Sequence, residues 1–199
     1  MSRLFFFLLG TIFVGAAGFI VFYKDYPGAQ LPAQYVADVD NGETLFYASG
    51  CRSCHLSTNP TSPNELGGGE AFKTNFGTFY APNISTSSTY GIGSWTFEDF
   101  YVAMKHGQNP TGSNYFPVFP YSSYSMMNTE DIADLWSYLQ TLPAVDTPSK
   151  KHELGFPFNI RETITVWNML YADNAKYSLI DDRATYLVEA LGHCAQCHT

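Results

Sequence analysis

Charge is what this 199-residue chain has least of: only 14% of its residues are Asp, Glu, Lys or Arg, and 10 basic side chains stand against 18 acidic ones for a net charge of −8. Phosphate backbones are bound by a basic face, so nucleic acid is excluded as a partner. Cysteine is scarce too, with four in all, and none lies outside two short motifs. Disorder as the main theme is ruled out by 45% hydrophobic and 17% aromatic content. The length leaves room for one core of about 100–150 residues with appendages, and two large domains would be cramped. An uncharged run of membrane length occurs in one place, Leu4–Tyr23. About twenty helical residues span the roughly 30 Å hydrocarbon layer, which reads as a transmembrane anchor over residues 1–23. A cleaved signal peptide is the competing reading, with Arg3 as its positive end and Val14-Gly15-Ala16 resembling a cleavage site.

All four cysteines fall in two identical frames, Cys51-Arg52-Ser53-Cys54-His55 and Cys194-Ala195-Gln196-Cys197-His198. C-x-x-C-H is the attachment pattern of c-type haem. Two thiols three positions apart bond the two vinyl groups on one porphyrin edge, and the following imidazole becomes the proximal iron ligand. Zinc is the bland alternative. It is disfavoured because the pairs lie roughly 140 residues apart where a zinc site uses about 15–20, and because a His follows each pair. The chain is therefore expected to carry two covalent haem c groups, with His55 and His198 on iron. Haem of this kind is attached outside the bacterial cytoplasmic membrane. The expected localisation is thus the bacterial inner membrane, with the soluble part periplasmic.

Residues 24–39 carry two prolines and little periodicity, and read as a tether. Asp40-Asn41-Gly42-Glu43 has the pattern of a helix N-cap, opening a short helix that ends at Gly50 and delivers Cys51. From Leu56 to Ser94 the chain is dense in Gly, Pro, Ser, Thr and Asn, a long loop that needs a rigid ligand to wrap. Thr96-Phe97-Glu98-Asp99 caps a second helix stopped by Gly107. Asn128-Thr129-Glu130-Asp131 caps a third, with Ile132, Leu135, Trp136 and Leu139 on its core face and Pro143 beyond its end. Met104 and Met169 lie on helical stretches and read as core.

This order of elements resembles the class I cytochrome c fold, an all-α haem domain, over residues 40–142. More narrowly it resembles the cytochrome c subunits of membrane-bound bacterial dehydrogenases that oxidise alcohols, gluconate and related sugars or aldehydes. The matching pieces are Gly77-Thr78, Ala81-Pro82-Asn83-Ile84, Gly91-Ile92-Gly93-Ser94-Trp95, Pro120-Tyr121 with Tyr124, Phe156-Pro157-Phe158-Asn159-Ile160-Arg161, Trp167-Asn168, Tyr186-Leu187-Val188 and Gly192-His193-Cys194. The resemblance implies that the carbonyl of Pro82 accepts the proximal imidazole N–H, and that Trp95 and Arg161 are candidate donors to haem propionates. It places the sixth ligand at Met127, with Met126 second, because the family's Met before Pro-Tyr is here Phe119. Residues 143–180 then form a connector, and 181–199 begin a second haem c module.

Read this way, the chain is an electron carrier and not an enzyme. It takes single electrons from a dehydrogenase partner and passes them to a respiratory acceptor in the membrane, while another cytochrome is one candidate to complete the second haem site. The alternative is a dihaem oxidoreductase or peroxidase with an open iron position.

Overall fold

A computed structural model describes residues 26–171, 180, 182–196 and 198. Two helices form the frame. Helix α1 (Val39–Ala48) begins at Asp38, whose carboxylate accepts the N–H groups of Asp40 and Asn41; it leads through Gly50, at φ +70°, into the short α2 (Cys51–His55). Helix α5 (Thr129–Leu139) crosses α1 and buries Ile132, Leu135 and Leu139 against it, with Trp136 partly buried. Between them in sequence come α3 (Phe97–His106) and the single turn α4 (Tyr121–Tyr124), which pack on each other while α3 also packs on α5. Helix α3 has a complete capping box, with Thr96 and Asp99 each bonded to the other's main chain, and it ends at Gly107 with φ +63°.

The long stretch after α2 is not structureless. Strands β1 (Ala71–Thr74) and β2 (Gly77–Tyr80) form an antiparallel hairpin, and β3 (Glu153–Leu154) pairs antiparallel with β2. The all-α expectation is therefore corrected: a three-stranded sheet in the order β1-β2-β3 stands beside the helices. Gly77 makes the pairing close, since its φ is +126° and a Cβ there would stand 2.2 Å from the carbonyl oxygen of Glu153. Such strands are too short for their alternation to stand out from loop composition.

Beyond β3, α6 (Thr163–Tyr171) leaves Val166, Met169, Leu170 and Tyr171 exposed, so Met169 is not a core residue, whereas Met104 is buried. Further on, α7 (Arg183–Thr185) continues as a π-helical segment, Tyr186–Leu191, and a short 3-10 turn follows at Cys194–Gln196. Tyr186, Ala190 and Leu191 join the core built by α1, α3 and α5.

The expected inner-membrane localisation is also corrected, because among the described residues no helix is long and apolar enough to cross a membrane. The run Leu4–Tyr23, on which the anchor was expected, lies outside the described residues.

Candidate haem site

The site starts at the end of α1. Gly50 supplies the left-handed turn that breaks α1 from α2, a conformation that costs a side-chain-bearing residue. Cys51 and Cys54 then fall three positions apart on one helical turn, the i, i+3 relation that puts two side chains on the same face, and His55 follows directly. Both thiols are free and half-buried. Burial pushes the Cys51 thiol up to about 12, and it raises that of Cys54 as well. Among the described residues, no group of three or more His, Cys, Asp or Glu side chains is placed to hold a metal ion.

His55 Nδ1 lies 2.8 Å from the carbonyl oxygen of Pro82. A carbonyl only accepts, so Nδ1 carries the proton and Nε2 keeps a lone pair for iron. Burial holds the imidazole below its ordinary value, the neutral form a metal requires. The Pro82 strap is itself anchored. The Asn83 amide side chain donates to Val145 O at 2.7 Å and Thr147 O at 2.9 Å, and the Asn83 main-chain N–H donates to Ser149 Oγ at 2.9 Å.

The methionines sit between α4 and α5. Met127 is fully buried and Met126 is 9% exposed. The Lys105 ammonium, reaching over from α3, donates to Ser125 O at 2.8 Å and to the carbonyl of Met127. Burial brings that ammonium down to about 8. Tyr124 hydroxyl donates to Ser49 O at 2.6 Å, tying the Met-bearing turn to the end of α1 just before Gly50 and Cys51. Trp95 packs half-buried against the same core, as do Cys51 and Phe119.

Arg161 stands apart from these. Its Nη1 donates to Asn114 O at 2.8 Å and its guanidinium lies 4.7 Å over the Phe116 ring, and no hydrogen bond links it to His55, Met127 or Trp95. In the second frame Cys194 and His198 are exposed, while Cys197 lies outside the described residues. The segment leading to it is docked: Tyr186 hydroxyl donates to Asp131 Oδ2 at 2.5 Å and accepts the Asn128 N–H at 3.2 Å. The His193 ring meets the edge of Tyr124 at 5.9 Å, and Gln196 Nε2 donates to Ser122 Oγ at 3.2 Å.

A thiol pair and an imidazole on one turn, the imidazole oriented by a carbonyl, form the attachment set of a covalently bound haem. The residues present fit that group. The chain belongs to the cytochrome c family, whose pattern matches residues 39–143. Haem c is that family's covalent cofactor, and electron transfer is the chemistry of its domain.

Among curated proteins, the chain is 39% identical to a diheme cytochrome c-type protein of Cereibacter sphaeroides over 95% of its own length and 66% of the relative's. It is 36% identical to the fructose dehydrogenase cytochrome subunit of Gluconobacter japonicus, over 81% of this chain and 34% of that one. It is 34% identical to the gluconate 2-dehydrogenase cytochrome c subunit of Pantoea cypripedii, over 81% of this chain and 38% of that one. The chain thus spans just under two thirds of the first relative and little more than a third of the other two.

Two residues of the site escaped sequence reasoning. Lys105 gave no local signal, being one cation near a helix end. Gly68, whose N–H donates to the main-chain carbonyl of His55 at 2.9 Å, did, as the middle of the run Gly67-Gly68-Gly69.

Proposed function

We propose that the chain is an electron-transferring cytochrome c subunit serving a dehydrogenase. Haem c is attached at Cys51 and Cys54, with His55 as proximal ligand and Met127 as sixth ligand. The observation that carries this reading is the Pro82 carbonyl on His55 Nδ1, which leaves Nε2 neutral and free for iron. Met127 is preferred to Met126 because it is wholly buried and its main chain is pinned by Lys105. Once bound, the haem supplies a one-electron couple between Fe(II) and Fe(III). The chain's own residues hold the imidazole in one tautomer and keep the thioether out of water, and a thioether raises the potential relative to a second imidazole. Trp95, whose indole N–H has no hydrogen-bond partner among the described residues, is the preferred donor to a propionate. Arg161, committed to Asn114 and Phe116, is the weaker candidate.

Residues 40–142 form the first haem domain, 143–180 a connector, and 181–199 the opening of a second haem module at Cys194, Cys197 and His198. The dihaem relative supports that second site, and another cytochrome is one candidate source of its sixth ligand. Electrons arrive singly from the dehydrogenase and leave to a respiratory acceptor. With a net charge of −8, docking calls for a basic patch on the partner, so association slows as salt rises.

A pyridine haemochrome spectrum with an intact mass tests the reading. Two covalent haems are expected in the native chain, and one in a Cys194→Ser, Cys197→Ser variant. Colourless protein, or pigment extracted by acidified acetone, overturns it.

A further inference from the structure

We infer that Gly68 is a positioning residue for the proximal ligand: its missing side chain leaves the Pro82 carbonyl on His55 and thereby sets the reduction potential. This rests on His55 being that ligand.

Gly68 is buried and left-handed, with φ +69°. Its N–H donates to the main-chain carbonyl of His55 at 2.9 Å. A Cβ at this position would stand 2.5 Å from the carbonyl oxygens of both Ala81 and Pro82. The second of these is the oxygen that accepts His55 Nδ1–H at 2.8 Å. One residue therefore holds the ligand's main chain and touches the acceptor of its ring.

The Pro82 strap cannot retreat as a body. Gly69 N–H holds Ala81 O at 2.9 Å on one side, and Asn83 is fixed to Val145, Thr147 and Ser149 on the other. A methyl group at position 68 has to rotate the Pro82 carbonyl away from the imidazole. An imidazole that donates Nδ1–H to a carbonyl is a more basic ligand through Nε2, and it stabilises Fe(III) over Fe(II). Weakening that bond raises the potential.

Gly69 supplies the control. Its φ is +101°, yet a Cβ there would meet only the Thr58 side chain, at 3.2 and 3.9 Å. Alanine at 68 or at 69 brings left-handed strain, but only alanine at 68 presses on Pro82.

The experiment measures the midpoint potential of the holoprotein by spectroelectrochemistry for wild type, Gly68→Ala and Gly69→Ala. It also follows the His55 Nδ1–H resonance in the reduced, diamagnetic state. Gly68→Ala is expected to raise the potential by about 59 mV, a tenfold shift in the Fe(II)/Fe(III) ratio, and to move the Nδ1–H resonance upfield; Gly69→Ala leaves both near wild type. If Gly68→Ala does not accumulate, Gly68→Asn carries the same Cβ on a residue that tolerates a left-handed backbone. Equal potentials and resonances in all the holoproteins, or equal shifts at 68 and 69, overturn the inference alone. A wild type with no haem at Cys51 and Cys54 overturns the reading beneath it as well.

Discussion

Gly42 of α1 lies directly on the main-chain carbonyl of Asp134 in α5: a Cβ on Gly42 would stand 2.1 Å from that oxygen and 2.8 Å from the Tyr138 Cβ. This is the crossing point of the two helices. It matters to the haem site because α1 ends at the turn that presents Cys51, while α5 begins just after Met127. The separation of His55 and Met127, the proposed iron ligands, is set by how closely these helices approach. Gly42→Ala should therefore destabilise the fold by about 1–3 kcal/mol or more, the range for overpacking a tight contact. It should also weaken the sixth ligand. Denaturant titration of the holoprotein, followed at the haem and by far-ultraviolet dichroism, measures both, and an unchanged midpoint would show that the helices separate freely.

The same Asp134 is 3% exposed. Its carboxylate accepts the Tyr35 hydroxyl at 2.6 Å, the Asp38 N–H at 2.8 Å and the Asn41 amide at 2.8 Å. A buried acceptor with three donors pins the incoming chain and the first turn of α1 to α5. Asp134→Ala leaves those donors unsatisfied, at about 1–3 kcal/mol for each that water cannot reach. Tyr35→Phe removes one donor and should cost about 1 kcal/mol. In the double variant the loss should be smaller than the sum, since a ring without its hydroxyl no longer needs the missing acceptor. Strict additivity in urea unfolding would mean the hydroxyl is resatisfied by water.

Local signals carried the helices and the first attachment motif. The Thr96–Asp99 capping box and the Gly107 stop are contained within a dozen residues, and the structure shows both. For the first helix the pattern Asp40-Asn41-Gly42-Glu43 points to Asp40 as the N-cap, and the structure corrects this: the helix starts at Val39, and the Asp38 carboxylate accepts the N–H groups of Asp40 and Asn41. The sheet was illegible because β3 is two residues long and its register is set from a distance, by Gly77 closing against Glu153. The Pro82 acceptor, which the resemblance pointed to, is fixed by contacts the local sequence does not show, Asn83 reaching 62 and 64 residues ahead. Gly68 and Lys105 act only through neighbours that folding brings, so spacing could not reveal them.

Lys105 spans the carbonyls of Ser125 and Met127, and so fixes the main chain on both sides of Met126. Hydrogen bonds from a charged donor contribute about 1.5–3 kcal/mol each. Lys105→Met keeps the length of the side chain and removes the donor, so the Met127 thioether, the proposed sixth ligand, should yield more readily to an external ligand. Imidazole titration of the oxidised protein, read from loss of the far-red iron–thioether absorption, should give an affinity roughly tenfold tighter in the variant. Equal affinities would mean the turn holds its shape without the ammonium.

His152 links the sheet to pH. Its Nδ1 accepts the Tyr80 N–H at 3.1 Å, and its ring meets Phe79 at 5.4 Å and Phe116 at 5.3 Å, edge to face. Acting as an acceptor requires Nδ1 to be unprotonated. Burial lowers the group below its ordinary 6.5, and the Arg161 guanidinium lowers it further. The unfolded chain therefore takes up this proton first as pH falls. The stability due to His152 is whole above about 6.5, declines as pH drops towards the depressed folded value, and is flat below it. His152→Asn retains an acceptor oxygen but does not titrate. Unfolding free energies at pH 7.5 and pH 5 should show a loss in wild type that exceeds the loss in the variant, the difference between them cancelling the carboxylates common to both. If the two losses match, the imidazole is protonated equally in both states and does not hold Tyr80.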